Sequence, residues 1–363
     1  MCNVLIIEDQ GDIIDKFKKL AEKTDLTFLS PQEVGLTKLG QNGKESVEEQ
    51  LARYLKDKIA EFEIDLVLLD TDLSREQDLQ THSSYKAALR ELGMPVCRYQ
   101  KGGSDSVFAL LPQLQRTIRD GASAIWIPRA LVSGDREHEL VARLIALSSG
   151  FKNIRTVLEE HPELLENAHS PTEVLAVVLG DSDRSYEFLG YAAQNLVYFA
   201  RPEADAEAYQ ISKIQRYATQ LGYWLFNYII TFPGPILKQD AALAHLNIHP
   251  DALSGGDALL TVMDSARYHG PFDGVEQYFW RSKLVDILER LDGDITSHPD
   301  LKEIELKRID SEDPGSPAYI CMLSGHAITR HEAAANPDWV PSGASEAKIK
   351  EDVLDELGPL AGI

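Results

Sequence analysis

The amino-acid sequence predicts an α/β fold at the N-terminus, with a parallel β-sheet covered by helices on both faces. Short apolar runs alternate with helix-like patterns over residues 1–130, as expected for repeated βα units. Two of these runs end in carboxylates, at the strand ends where open parallel sheets bind ligands. From residue 135 onward the helical patterns continue without such runs, so we expect a second, helical part.

Each element of the first part rests on the spacing of its apolar residues. Strands are predicted at four apolar runs, NVLIIED, IDLVLLD, MPVCRYQ and ASAIWIP. Helical periodicity predicts helices over GDIIDKFKKLAEK, over SVEEQLARYLKDKIAEF, and around residues 85–92 and 107–118. Ser46 followed by Glu49 predicts a capping box at the start of the second helix. Residues 26–44 contain Gly, Pro and Asn and give no clear pattern.

The chain divides by pattern into three segments. Residues 1–134 form the predicted α/β domain, and residues 135–295 form a predicted all-helical domain, with no strand pattern between 137 and 295. Residues 296–363 form a small mixed segment, in which IELKRID and AYICMLSG are candidate strands and a short acidic helix follows. A chain of 363 residues is long enough for two or three such parts.

Composition and charge restrict the function classes. The formal net charge of −22 gives an acidic surface that repels phosphate, which disfavours nucleic acid as a partner. No apolar run reaches the roughly 20 residues that cross a membrane, and the N-terminal MCNVLIIEDQ reads as a strand rather than a signal peptide. The three cysteines are far apart, which fits a reducing cytoplasm.

Three carboxylates are the strongest chemical signal. Glu8 and Asp9 follow the first apolar run, and Asp70 ends the second. If these two strands are neighbours, the carboxylates converge in one crevice, where their mutual repulsion calls for a cation. Hard oxygen ligands of this kind suit Mg²⁺.

The order and spacing of VLIIEDQ, DLVLLDTDLS, MPVCRYQ and GASAIWIP resemble the landmark strands of response-regulator receiver domains of the chemotaxis-receiver type. The resemblance covers residues 1 to about 130 and leaves the remainder unassigned. It implies a flavodoxin-like sheet of five parallel strands and phosphoryl transfer from a histidine kinase to Asp70. It also implies a Mg²⁺ site formed by Glu8, Asp9, Asp70 and the backbone carbonyl of Asp72.

Two positions depart from the family pattern. Gln100 stands where receivers carry a Thr or Ser that binds the phosphoryl group, and Ile127 precedes Pro128 where they carry a lysine. Lys101 and Arg129 are candidate substitutes by position, as Gln100 itself is for the hydroxyl. The link from the first acids to Asp70 is also longer than in the family, with the extra material in residues 26–45. A receiver without switching, used for docking or dimerisation, is therefore an alternative interpretation.

A second candidate metal site lies in CMLSGHAITRH, where Cys321, His326 and His331 occur at short spacing. Cysteine and histidine ligate zinc, but a closed site needs four ligands and no paired CxxC is present. A strand cysteine with two loop histidines is the favoured interpretation, and zinc is the alternative.

Two further motifs carry alternatives to signalling. Residues 238–255, KQDAALAHLNIHPDALSG, have the outline of a helix-turn-helix, but their second half contains no Arg or Lys. Asp181 and Asp183 in LGDSDRS are candidate acids for a hydrolase or nuclease, although such a pair is also typical of a helix N-terminus.

Together these patterns predict a cytoplasmic bacterial phosphoprotein of two-component signalling, with an atypical receiver coupled to a helical protein-interaction module. The expected partners are a histidine kinase, other components of a phosphorelay, or a second copy of the chain, and the expected cofactor is Mg²⁺. An enzyme with a site in the last two-thirds of the chain and a transcription regulator are the alternatives. The sequence identifies neither the kinase nor the downstream partner.

Overall fold

The computed structural model describes residues 1–36, 39, 45–73, 79–101, 110–166, 169–192, 211–255 and 258–358. The described residues fall into two compact units. Unit 1 lies within Met1–Ser104, Asp120–Val178 and Leu196–Trp224, and unit 2 lies within Asp105–Arg119, Leu179–Asn195 and Leu225–Ile363. The division into three consecutive segments stays a prediction.

Unit 1 is built around a five-stranded sheet in which every pairing is parallel. Its strands are β1 (Cys2–Ile7), β2 (Leu26–Leu29), β3 (Leu66–Asp70), β4 (Val96–Tyr99) and β5 (Ile125–Trp126). Their order in the sheet is β2-β1-β3-β4-β5, which is the strand order of flavodoxin-like sheets. The predicted parallel α/β architecture is therefore confirmed for this unit.

The central strands of the sheet, β1 and β3, are buried because they are apolar on both faces. All five residues of β3 are buried, and β1 is buried except at Asn3. Strands with helices over both faces read as continuous apolar runs rather than as alternating ones. In register, Ile7 of β1 pairs with Leu69 of β3, so the two strands end together and their following residues meet.

The described helices of the first half are α1 (Gly11–Leu20), α2 (Val47–Glu61), α3 (His82–Glu91), α4 (Leu110–Asp120), α5 (Ala130–Ser133), α6 (Leu140–Glu160), α7 (Glu163–Glu166) and α8 (Pro171–Val178). Of these helices, α1 to α4 lie close to the four predicted positions, whereas no helix was predicted at α5. The capping box is confirmed: the Ser46 hydroxyl accepts from the Glu49 N–H at 3.1 Å, and the Ser46 N–H donates to Glu49 Oε2 at 2.8 Å.

A helix from the later part of the chain belongs to unit 1. This helix, α10 (Lys213–Trp224), follows α9 (Leu189–Ala192) along the chain. Its Thr219 hydroxyl donates to the Gly93 carbonyl at 2.7 Å, and its Tyr223 hydroxyl accepts from the Val96 N–H at 2.7 Å. These buried bonds attach α10 beside the amino end of β4.

Unit 2 contains two short antiparallel pairs: β6 (Ile236–Lys238) with β7 (Tyr278–Trp280), and β8 (Tyr319–Ile320) with β9 (Ala327–Ile328). The expectation of no strand between 137 and 295 is therefore wrong. A three-residue strand is too short to show an alternating pattern, and every residue of β7 is buried. The helical domain predicted for these residues is accordingly not confirmed.

The remaining elements of unit 2 are short. Its later helices are a π-helix (Leu225–Ile230), α11 (Gln239–His245), α12 (Ala258–Met263), α13 (Arg281–Glu289) and α14 (Glu351–Leu357). The acidic helix predicted for the tail is confirmed as α14. Of the two candidate strands there, AYICMLSG contains β8, whereas IELKRID contributes only an isolated bridge from Arg308 to Ile248. Among the described helices of the chain, none has the length and apolar character needed to cross a membrane.

Candidate functional site

The three predicted acids meet at the carboxyl end of the sheet. Glu8 and Asp9 follow β1, and Asp70 is the last residue of the adjacent β3. One carboxylate oxygen from each lies within 4.8 Å of the others. Glu8 and Asp70 are buried, and Asp9 is half-buried. Within the described ranges, this group, which we call the acidic crevice, is the one set of three or more carboxylate, His or Cys ligands close enough to hold a metal ion.

Glu8 is held by donors on both of its oxygens. Its Oε1 accepts from the backbone N–H groups of Asp9 and Gln10, each at 2.9 Å. Its Oε2 accepts from the Tyr99 hydroxyl at 2.5 Å. Tyr99 is the last residue of β4 and pairs in register with Asp70. The pairing of β3 with β4 therefore positions the Tyr99 hydroxyl at the acidic crevice.

Lys101 places its ammonium among the carboxylates. Its Nζ lies 2.9 Å from both oxygens of Glu8 and 2.9 Å from Oδ2 of Asp70. The contact with Asp70 is an ion pair without hydrogen-bond geometry. The Lys101 side chain is 19% exposed, while both carboxylates are fully buried. Of the two candidate substitutes for the family lysine, Lys101 is thus in the acidic crevice.

The pKa values of Glu8, Tyr99 and Lys101 are all raised, but for different reasons. Burial raises the pKa of Glu8 above its usual range, although the donors Tyr99 and Lys101 favour its charged form. Burial and the charge of Glu8 raise the pKa of Tyr99, so the phenol remains a neutral donor. Partial burial alone would lower the pKa of Lys101, but its contacts with Glu8 and Asp70 outweigh that effect and raise it.

The residues of the acidic crevice fit a divalent cation. Asp70 Oδ1 accepts from the Asp72 N–H at 3.1 Å, whereas the buried Oδ2 has no hydrogen bond from any described residue. The three carboxyl groups outnumber the one ammonium beside them, and a divalent cation would offset their mutual repulsion. Carboxylate oxygens are also the ligands that Mg²⁺ prefers. Glu8, Asp9 and Asp70 could therefore hold it.

The other positions singled out by the family pattern follow the carboxyl ends of β3, β4 and β5. Gln100 is half-buried between β4 and Lys101, and the buried Ile127 donates its N–H to the Arg98 carbonyl at 2.8 Å. Arg129 precedes α5, where its carbonyl accepts the N–H groups of Val132 and Ser133. The side chain of Asp72 is exposed.

Tyr99 was not predicted as a site residue. Within MPVCRYQ it reads as one more apolar position of a strand, and only the pairing of β3 with β4 puts its hydroxyl beside Glu8. A polar-tipped aromatic residue close to the end of a strand is the signal that the sequence offers. That signal becomes specific only when the strand order is known.

The candidate zinc ligands are not brought together. Cys321 is buried, its N–H donates to the His326 carbonyl at 2.8 Å, and its Sγ accepts from the Lys350 N–H at 3.4 Å. His326 and His331 are exposed. Residues 321–326 form the connection between β8 and β9. The three side chains do not form a cluster of ligands.

The two motifs behind the alternative functions have structural roles. In residues 238–255 the first helix is α11, but the second is a 3₁₀ helix, Pro250–Gly255, whereas a helix-turn-helix reads DNA with an α-helix. Asp181 caps the 3₁₀ helix that starts at Ser182, because its side chain accepts from the Asp183 N–H at 3.2 Å. It also pairs with Arg184 at 2.8 Å.

We compared the chain with protein-family models, with curated proteins and with solved structures, and none of the three comparisons found a match.

Proposed function

We propose that this chain is a signal-transduction protein in which unit 1 acts as an atypical receiver and Asp70 accepts a phosphoryl group in the presence of Mg²⁺. The observation that carries the proposal is the convergence of Glu8, Asp9 and Asp70 within 4.8 Å at the carboxyl ends of neighbouring parallel strands. The parallel sheet with its flavodoxin-like order supports it as well.

Asp70 has the features of a nucleophile. In the transfer, a carboxylate oxygen of Asp70 forms a bond to phosphorus, the bond from phosphorus to the donor histidine nitrogen breaks, and that nitrogen takes a proton from solvent. Oδ1 is held by the Asp72 N–H, whereas Oδ2 faces the Lys101 ammonium at 2.9 Å, the group that would receive the phosphoryl oxygens. Oδ2 is therefore the attacking atom of the proposal. A carboxylate acts as a nucleophile of this kind in aspartyl-phosphate enzymes.

The remaining residues of the acidic crevice provide charge. Mg²⁺, held by Glu8, Asp9 and Asp70 and, as the resemblance implies, by the Asp72 carbonyl, would neutralise charge on the transferred oxygens. Lys101, which lies 2.9 Å from Asp70 Oδ2, would offer its ammonium to the phosphoryl group in place of the family lysine. It enters from the end of β4 rather than β5, so its route to the acidic crevice differs from the family pattern.

The missing hydroxyl has a consequence for signalling. Receivers pull their fourth-strand Thr or Ser toward the phosphoryl group, whereas Gln100 stands at that position here. The nearby Thr71 hydroxyl donates to the Tyr99 carbonyl at 3.1 Å and so serves the strand end. We therefore infer that a response of this module would run through Lys101, with protein partners as its readers. Cytoplasmic location and a histidine kinase as donor belong to the same proposal.

Labelling with a small phosphodonor tests this function. The full chain is incubated with acetyl phosphate and Mg²⁺, and its intact mass is compared with that of Asp70→Asn. We expect the wild-type chain to gain the mass of one phosphoryl group, and both the Asp70→Asn variant and a sample containing excess EDTA to gain none.

Asp15→Asn is the matched control, because Asp15 is an exposed carboxylate on the neighbouring α1. This variant should be labelled like the wild-type chain. A wild-type chain that gains no mass, or an Asp70→Asn variant that is labelled equally, would contradict the proposed function.

A further inference from the structure

We propose that Lys101 is the resident cation of the acidic crevice and that it restricts the binding of divalent metal ions. This inference concerns regulation of the site in the proposed function and rests on that proposal for its biological meaning. The geometry behind it is independent of phosphorylation, because it concerns only the competition between an ammonium and a metal for the same oxygens.

The contacts of Lys101 are those of a bound cation. Its ammonium carries three N–H donors, and it has three oxygen atoms at 2.9 Å, two from Glu8 and one from Asp70. Both carboxylates belong to the group that could hold a metal. The ammonium thus interacts with two of the three candidate ligand residues at once.

Glu8 has no acceptor capacity left for a metal while Lys101 is in place. A carboxylate offers about four lone-pair sites. The Glu8 oxygens already accept from Asp9 N, Gln10 N and the Tyr99 hydroxyl, and Lys101 contacts both of them. Direct coordination of a metal by Glu8 therefore requires that Lys101 leave it.

Charge leads to the same conclusion. Two cations within a few ångströms of each other repel strongly in a partly buried site, where screening by water is reduced. Because Glu8 and Asp70 are fully buried, the crevice cannot hold both cations at the same oxygens. Metal binding would therefore move the Lys101 ammonium away from Glu8, to a more accessible position at the mouth of the crevice.

Lys101 is in contact with α5 through its backbone. Its backbone carbonyl accepts from the Ser133 hydroxyl at 3.3 Å, and Ser133 is the last residue of α5. The backbone of Lys101 is therefore joined to the end of α5.

Metal titration tests the competition directly. Mn²⁺ is titrated into the full-length wild-type chain, into Lys101→Met and into Lys101→Gln, with free Mn²⁺ followed by electron paramagnetic resonance. We expect the dissociation constant to fall by about tenfold or more in both variants, because a charge near the metal is removed. An unchanged, weaker or absent binding in the variants would overturn the inference.

Lys152→Met is the matched control. Lys152 pairs with Asp65 at 2.7 Å. Asp65 directly precedes β3, so this pair lies at the amino ends of the strands, whereas the acidic crevice lies at their carboxyl ends. Removing this charge should change the dissociation constant by less than about twofold. A fall as large as that in Lys101→Met would show a general charge effect and would overturn the assignment to Lys101.

Chemical labelling of the wild-type chain gives a second readout that needs no variant. Brief treatment with acetic anhydride, followed by peptide mass spectrometry, reports how accessible each lysine is. We expect the labelling of Lys101 to rise several-fold when Mg²⁺ is added, while that of Lys152 stays constant. Equal labelling of Lys101 with and without Mg²⁺ would overturn the inference.

The two proposals fail on different readouts. Absence of a phosphoryl group on Asp70 contradicts the proposed function, whereas an unchanged Mn²⁺ dissociation constant in Lys101→Met contradicts the role of Lys101.

Discussion

The Tyr99 hydroxyl donates a 2.5 Å hydrogen bond to Oε2 of Glu8, and neither residue is accessible to solvent beyond 1%. The bond connects the ends of β1 and β4, which are not neighbours in the sheet. It therefore fixes the carboxylate across β3, beside Asp70.

We expect Tyr99→Phe to destabilise unit 1. The change removes a donor from a buried carboxylate, and hydrogen bonds to charged groups contribute about 1.5–3 kcal/mol. The free energy of unfolding in urea, followed by the circular dichroism of the sheet, should fall by about that amount.

Tyr54→Phe is the control, because its hydroxyl donates to the Gly35 carbonyl in an exposed position. Its free energy of unfolding should change by no more than about 0.5 kcal/mol. Equal losses in the free energy of unfolding for the two substitutions would contradict the stabilising role of the bond to Glu8.

We expect Gly222→Ala to destabilise unit 1 even though alanine favours helices. A Cβ at Gly222 in α10 would lie 2.6 Å from Cδ1 of Phe151 in α6, and the Phe151 ring is buried. Overpacking of this kind costs about 1–3 kcal/mol, which exceeds the gain of up to about 1 kcal/mol in helix propensity. Thermal unfolding measures the difference.

Gly11→Ala is the matched control for that substitution. Gly11 is the first residue of α1, and an added Cβ there would meet no atom within 4 Å. Its melting temperature should stay the same or rise. A Gly222→Ala variant that is as stable as Gly11→Ala would contradict the close packing of α10 on α6.

The buried pair of His245 and Glu346 predicts a pH dependence for unit 2. His245 Nδ1 lies 3.1 Å from Glu346 Oε2. Burial alone would raise the pKa of Glu346, but the contact with His245 outweighs it, so the pKa is lowered. A group whose pKa is lowered on folding stabilises the fold above its unfolded pKa, about 4.3 for Glu. That contribution is lost as the pH falls through the folded pKa.

Glu346→Gln should therefore lower the melting temperature most above about pH 4.3, and the difference from the wild-type chain should shrink below it. Glu303→Gln, at an exposed position of the same unit, should show no such pH-dependent difference. A Glu346→Gln variant whose deficit is constant from pH 3 to pH 7 would contradict this account.

The sequence was sufficient to predict the strands and acids that form the acidic crevice. β1, β3 and β4 are apolar runs in the sequence. Ligands bind at the carboxyl ends of parallel strands, and this rule was enough to select Glu8, Asp9 and Asp70 as site residues. The start of α2 was also predictable, because the capping box at Ser46 is a local pattern.

Other elements could not be predicted because their signals are short or non-local. β2 covers only the four residues LTFL, at the edge of the sheet, and β6 and β7 cover three residues each. Lys101 and Arg129 were equal candidates in sequence, and only the fold brings the ammonium of Lys101 to Glu8 and Asp70. The grouping of α10 with the sheet depends on bonds over more than 120 residues of chain, such as that from Val96 to Tyr223, which are 127 residues apart.

A crystal structure of the full chain with Mg²⁺ and beryllium fluoride tests the central claim most directly. The account predicts beryllofluoride on a carboxylate oxygen of Asp70, Mg²⁺ bound by Glu8, Asp9 and Asp70, and the Lys101 ammonium displaced from Glu8. An unmodified Asp70, with Lys101 still 2.9 Å from both Glu8 oxygens and no metal in the acidic crevice, would contradict it.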